Sequence, residues 1–298
     1  MRPLSDRALD RLREAAAWPD FEGTRYRLVK ELGRGGMGAV YLAEDSLLDR
    51  KVAIKVFHLD DVSVELAERM RHEARTLARL EHPNIVPVYD FGQLPGGRLY
   101  YSMKYVEGAR LDEQTGETLP RKLRLFESIC EAVAYAHARG VVHRDLKPAN
   151  IMIGTFGEVL VMDWGLAQMH SEGVPGRVVG TPHFMAPEQE RGDARVDARA
   201  DIFSLGRILE FLCGGGEVPK PVASMIGKAC HGVPDKRYAS AQELGLDALR
   251  YLDGMRVSAH KESPFEVAGR FFANNRTLLL LVLTYAVMRF LVFFYSRR

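Results

Sequence analysis

His143-Arg144-Asp145-Leu146-Lys147-Pro148-Ala149-Asn150 is the stretch on which the fold turns: an acid, a cation and a carboxamide within one short segment. Asp163-Trp164-Gly165 follows it, and Gly33-Arg34-Gly35-Gly36-Met37-Gly38 and Val52-Ala53-Ile54-Lys55 precede it. Any one of these pieces is a modest signal. In this order and at these spacings they read as an apparatus that holds phosphates, places metal ions and aims a hydroxyl.

Each piece has a chemical reason. Gly33, Gly35 and Gly38 sit on a strand–turn–strand, where missing side chains let backbone amides approach phosphates. Alone, such a loop is equally an ordinary hairpin. It gains weight from Lys55 on the next strand, because a lysine among apolar residues needs a counter-charge. Glu73, on the following predicted helix and well spaced from His82-Pro83-Asn84-Ile85, is the best candidate, with Glu65 and Glu68 as competitors. Asp145 suits the acceptance or orientation of a hydroxyl proton. Lys147 can neutralise charge on a transferring phosphoryl group. Asn150 offers a carboxamide oxygen and Asp163 a carboxylate, both hard ligands for magnesium.

The bulk composition sets bounds. A chain of 298 residues can bury a large single core or two lobes, and 47% hydrophobic with 27% charged residues is a globular balance. A net charge of +2 argues for no nucleic-acid partner. Cys130, Cys213 and Cys230 form no C-x-x-C pair and read as reduced core residues of a cytosolic domain. Residues 1–17 are charged and amphipathic, unlike a secretory signal. Residues 277–295 carry one charge, Arg289, and are just long enough to be expected as a transmembrane helix. Arg270 and Arg276 before it agree with a cytoplasmic near side, whereas Arg297 and Arg298 would have to cross. A charge such as Arg289 is costly in the apolar zone, so a shallow or re-entrant anchor and a helix assembly that buries it stay open.

Along the chain, residues 7–17 read as a short helix ended by Trp18-Pro19-Asp20, within an extension over 1–25. Residues 26–55 read as strands, 64–80 as a helix stopped by His82-Pro83, and 85–106 as strands broken at Pro95-Gly96-Gly97. After Gly108 the pattern is mainly helical: 123–139 ended by Gly140, then 198–213, 223–230 and 241–252, with two short strands over 151–162. Residues 254–276 read as a basic juxtamembrane connector. Strands first and helices later imply an α+β, bilobal fold with a small lobe over 26–106, a large lobe over 107–253 and a ligand cleft between them.

The chain resembles the bacterial eukaryotic-like serine/threonine protein kinases over about 26–252, most of the soluble part. The resemblance implies transfer of the γ-phosphate of Mg-ATP, or Mn-ATP, to protein hydroxyls. It implies that Leu32, Gly33, Gly35, Gly36, Gly38 and Val40 belong to the glycine-rich loop region and that Val40, Ala53 and Met152 sandwich adenine. The backbone of Lys104, Tyr105 and Val106 would hydrogen-bond adenine, with Met103 as gatekeeper. Lys55 would bind phosphates and pair with Glu73. Asp145 would be the catalytic aspartate, Asn150 and Asp163 the metal ligands. Glu188 would pair with Arg237, Asp201 would brace the catalytic loop, and Lys147 with Gly180-Thr181 would mark the serine/threonine class.

The departures are informative. Trp164 stands where the family has phenylalanine, next to Gly165. Between Gly165 and Gly180 the one hydroxyl residue is Ser171, so control through Arg144 and a loop phosphate would depend on it. Asp201 and Arg237 lie closer in sequence than the family has them, and Cys213-Gly214-Gly215-Gly216 reads as the scar of a missing docking helix. The implied protein is a membrane kinase facing the cytoplasm, its tail expected to localise it or pair it as a homodimer. An ATP-binding scaffold at the membrane and a small-molecule kinase are the alternatives.

Overall fold

The computed structural model describes residues 18–35, 38–57, 64–114, 116–164, 183–193, 196–214 and 216–296. Its first half is a five-stranded antiparallel sheet of β1 (Tyr26–Gly35), β2 (Gly38–Asp45), β3 (Arg50–Phe57), β4 (Val88–Gln93) and β5 (Leu99–Lys104), in the order β1-β2-β3-β5-β4. From Val52 to Phe57 β3 is buried on both faces, which is why it reads as an apolar run instead of an alternation.

Register sorts the two faces. Val40 lies opposite Lys55, Lys55 opposite Tyr101, and Ala53 opposite Met103. Opposed residues of an antiparallel pair share a face, so these side chains line one side together. The other face carries Tyr41, Val52, Ile54, Val56 and Tyr100 in a separate apolar cluster with Phe21 and Tyr26. The end of the N-terminal extension covers that face: Trp18 packs on Tyr41 and Phe21 on Tyr100, with ring centroids 5.9 Å and 5.2 Å apart. The helix expected over 7–17 lies outside the described residues.

Helix α1 (Val64–Ala78) buries Met70, Ala74 and Leu77, which recur at helical spacing. They join a core cluster that runs on through Phe57, Tyr101 and Met103 into the second half of the chain. There, β6 (Gly108–Arg110), β7 (Ile151–Gly154) and β8 (Val159–Val161) form a three-stranded sheet. Helix α2 (Leu119–His137) starts four residues ahead of the expected 123, because Pro120 suits a first helical turn. Gly140 ends its last turn, with φ of 74° and its N–H donating to the His137 carbonyl.

Four more helices complete this lobe: α3 (Pro187–Glu190), α4 (Arg199–Cys213), α5 (Lys220–Ala229) and α6 (Ala241–Leu252). Gly214 adopts the left-handed conformation (φ 67°) and its N–H caps α4 on Glu210 and Phe211, so the suspected scar begins as a helix stop. Just inside it, α4 and α5 meet at Gly206, where a Cβ would stand 2.6 Å from Cys230 Sγ and 2.7 Å from Ala229 Cβ. Helices α4 and α5 are therefore in direct contact across the region expected to be shortened. All three cysteines are free thiols.

The tail differs from expectation in two ways. Within the stretch read as connector, Ser263 accepts a bond from the Glu266 N–H and Glu266 answers to the Ser263 N–H, a capping box that starts α7 (Pro264–Asn274). Beyond it, α8 (Arg276–Ser296) occupies the segment expected to span a membrane. The expectation of a crossing finds no support: among the described residues no helix is long and apolar enough to cross a membrane. The apolar run between Arg276 and Arg289 spans 277–288, roughly 18 Å of helix against a hydrocarbon core of about 30 Å.

Candidate active site

The loop 143–150 is built around a buried carboxylate. Asp201, at the start of α4, is fully buried and accepts the backbone N–H groups of His143 and Arg144, each at 2.7 Å. His137, near the end of α2, puts Nε2 2.8 Å from the same carboxylate. Burial alone would push the Asp201 carboxyl up; the His137 bond and charge and the His143 contacts outweigh it and hold the carboxyl below its usual range. Two aligned amides hold Arg144 at φ 65°, and Gln189 Nε2 donates to its carbonyl at 2.8 Å. The expected brace is therefore present, and His137 is a member that the motif spacing did not announce.

From that anchored turn the polar groups converge. Lys147 Nζ lies 2.8 Å from Asp145 Oδ2. Asn150 Nδ2 donates to the Asp145 carbonyl at 2.8 Å and reaches Asp145 Oδ2 at 3.4 Å. Asn150 thus spends its amide nitrogen on the loop, which fixes the direction of its carboxamide oxygen. His143 fixes the opposite wall. Its Nε2 meets the Met162 carbonyl at 2.8 Å, so that nitrogen carries the proton, and its ring lies against Trp164 with centroids 4.8 Å apart. Trp164 is buried and donates Nε1–H to the Val161 carbonyl at 3.2 Å, a bond that a phenylalanine could not make.

Asp163 joins the two lobes. Its Oδ1 lies 2.8 Å from Lys55 Nζ and accepts the Tyr101 hydroxyl at 3.0 Å. Burial pushes the Asp163 carboxyl up, but the Lys55 charge and bond, then Tyr101 and His143, hold it below the usual range. Burial and the Asp163 charge push the Tyr101 hydroxyl well up, so it stays a proton donor. Glu73 sits on α1 with its side chain outside the described ones; the described partner of Lys55 is Asp163. Tyr101 was missed in the sequence. Period-two alternation along β5 could have found it, since it shares a face with Met103 and faces Lys55.

Of the nucleotide-side residues, Val40, Ala53 and Met103 fall on this same cleft face. Ala53, Met103 and Val106 are buried and Val40, Lys104, Tyr105 and Met152 half-buried, while Leu32 on β1 is exposed. The Lys104 N–H donates to the Pro87 carbonyl at 3.1 Å, so that donor is already engaged within the protein. Gly33 and Gly35 have open space where a Cβ would be, but at Gly38 it would stand 2.2 Å from the Val56 carbonyl oxygen. Gly38 is thus required by the approach of β2 to β3. Gly36, Gly165, Ser171, Gly180 and Thr181 lie outside the described residues. The predicted Glu188–Arg237 pair is buried and bidentate, at 2.6 Å and 2.7 Å. Burial raises the Glu188 carboxyl, and Arg237 outweighs it and holds it low.

Known proteins fit this geometry. The family model for the protein kinase domain matches residues 26–237. This chain belongs to the protein kinase family. It is 37% identical to the serine/threonine-protein kinase PknB of Mycolicibacterium smegmatis, over 82% of this chain and 45% of that one. It is 36% identical to PrkC of Bacillus subtilis, over 78% and 41%, and 34% identical to PknD of Protochlamydia amoebophila, over 77% and 30%. The chain therefore spans less than half the length of these curated relatives. Among solved structures, the PknI kinase domain of Mycobacterium tuberculosis superposes with a TM-score of 0.61 at 28% identity, covering 78% of this chain and 96% of that one.

Proposed function

We propose that this protein is an ATP- and divalent-metal-dependent protein serine/threonine kinase. The observation that carries the reading is the convergence of Asp145, Lys147 and Asn150 with Asp163 and Lys55, held from behind by Asp201. Phosphoryl transfer asks a protein for alignment and charge neutralisation. Asp145 is placed to take or orient the proton of an incoming hydroxyl. Lys147, on the Asp145 carboxylate, brings a positive charge to the side from which that hydroxyl arrives. Lys55 has the reach to meet phosphate oxygens, with Asp163 as its counter-charge meanwhile.

The donor set fits a hard cation. Asp163 and Asn150 would hold magnesium, which binds through a few protein oxygens plus substrate phosphates, and would supply charge neutralisation at those phosphates. Ready metal ligands favour an enzyme over an ATP-binding scaffold. The names of the relatives, serine/threonine-protein kinases throughout, favour protein acceptors over small molecules.

The test is transfer of label from ATP to a generic basic protein, with magnesium, beside Asp145→Asn. Transfer lost in the variant is the expected result; tight nucleotide binding with no transfer by the wild type would move the reading to the scaffold.

The same proposal includes a membrane location, with the kinase lobes on the cytoplasmic side where ATP is. Its support is α8, whose described side chains from Leu280 to Tyr295 stand exposed although they are apolar around the whole helix. A protein groove covers one stripe of such a helix, whereas lipid covers all of it. With Arg289 inside the run, a shallow seat with that arginine reaching the headgroups costs less than a crossing. A homodimer that packs α8 against its copy is the competing use of the same surface.

A further inference from the structure

Tyr101 stands two residues before Met103 on β5 and directly opposite Lys55 on β3. Its ring is buried, packed on Phe57 with centroids 5.9 Å apart. Beside it is a cavity of ≈ 10 Å³ shared with Met103, Asp163 and Trp164, room for about one water. The phenol therefore has nowhere else to go. Its hydroxyl donates to Asp163 Oδ1, the same oxygen that Lys55 meets. Among the described residues no hydrogen bond reaches Oδ2.

The backbone of Asp163 is fixed as well. Its φ is 57°, a left-handed conformation that is strained for a non-glycine residue. Next to it the Trp164 indole is pinned to the Val161 carbonyl. What remains free in principle is rotation of the carboxylate, a broad two-fold torsion.

We propose that Tyr101 is a positioning residue for Asp163: its hydroxyl holds Oδ1 against the sheet and so presets Oδ2 for a divalent cation. The role given to Asp163 rests on the kinase reading; the contact does not. Lys55 cannot do this alone, because a lysine with a flexible stem is shared with phosphates once nucleotide is bound. The phenol is the partner that stays. A hydrogen bond to a ligating carboxylate also draws charge from it, which weakens it as a ligand. Fixed orientation outweighs that effect, as partners behind metal ligands typically contribute about 10–100-fold in metal affinity.

The experiment uses the full chain with Trp18→Phe, which leaves Trp164 as the reporting tryptophan beside Asp163. Tyr101→Phe removes one oxygen and keeps the ring; equal melting curves show an equal fold. With a non-hydrolysable ATP analogue, the manganese concentration that half-quenches Trp164 should rise about tenfold. Phosphotransfer should fall most at low magnesium and recover as magnesium is raised, with the KM for the protein acceptor unmoved.

A manganese midpoint that is unchanged or lower overturns the proposal. A wild type that gives no response to manganese and nucleotide brings down the kinase reading and this metal role together. A responding wild type with an identical variant brings down the proposal alone.

Discussion

The catalytic loop and the C-terminal helix pair solve opposite problems. Around residues 143–150 the chain buries charge: Asp201 is fully buried yet paired with two amides and His137. Over 264–296 it exposes apolar surface: Phe265 is 89% and Phe290 66% solvent-exposed. Buried polar groups stay because their partners are supplied by the same chain. Exposed apolar groups on this scale point to a covering supplied from elsewhere. The first region is complete in itself, and the second is half of something.

The largest break in that contrast lies in the cleft. Lys55→Met and Asp163→Asn should each lower phosphotransfer by roughly a thousandfold or more, since the first removes a cation within reach of the phosphates and the second a carboxylate that would hold the divalent ion on them. Each variant should stay folded with a lowered melting temperature, since each leaves one member of the Lys55–Asp163 pair without its counter-charge, and label transfer near the wild-type rate in either variant would remove the site assignment.

Next comes the self-contained lobe. Arg237→Ala leaves Glu188 buried and unpaired, so stability should drop by roughly 3–5 kcal/mol in urea titration. Acid sharpens the same point. The folded-state carboxyl of Glu188 is held below its ordinary value of 4.5. Its contribution is therefore present above that value and lost as pH falls through the lower folded one. The wild type should lose stability on acidification below about pH 4.5, and Arg237→Ala should lose less across that window.

For the tail, full-length protein should float with anionic lipid vesicles, and Leu280→Asp with Leu283→Asp should reduce the bound fraction several-fold while turnover on a soluble acceptor is kept. A charge within an apolar membrane helix costs about 2.5–3.5 kcal/mol. Flotation that is identical in the substituted chain, or a concentration-dependent dimer that the substitutions abolish without lipid, would give α8 to a protein partner.

The smallest effect tests a weak point in the helical lobe. Glu127 on α2 is raised to about 7 by burial, then by the charge and hydrogen bond of Glu131. A raised carboxyl means the folded state holds the proton longer, so stability falls as pH rises from about 4.5 to 7. Glu127→Gln should flatten that stretch of the melting-temperature profile and raise it slightly at pH 8. An unchanged slope would place the shared proton elsewhere.

Much of this was open to reading in the chain itself. The motif 143–150, the glycine loop, Lys55 and Asp163 name their chemistry because phosphoryl transfer demands those groups in a set order along one polypeptide. Periodicity gave most helices and strands but not every boundary: α2 opens at Leu119 and α5 at Lys220, ahead of the expected 123 and 223, whereas α6 runs from Ala241 to Leu252 as the pattern over 241–252 implied. The capping box at Ser263 and Glu266 was legible too, but the polar content of the connector masked it.

Other features had no local signature. Nothing in the sequence around Tyr101 says that its hydroxyl meets Asp163, a residue 62 positions away. That contact comes from the pairing of β3 with β5 and the folding of the second lobe beneath them. Nothing marks His137 as the third partner of Asp201, since the two stand on different helices. The sequence determined which groups this protein owns, because composition and spacing are carried by covalent order. The tertiary structure decided which of them touch and which carboxylate oxygen is held, because those are matters of register and packing between elements distant along the chain.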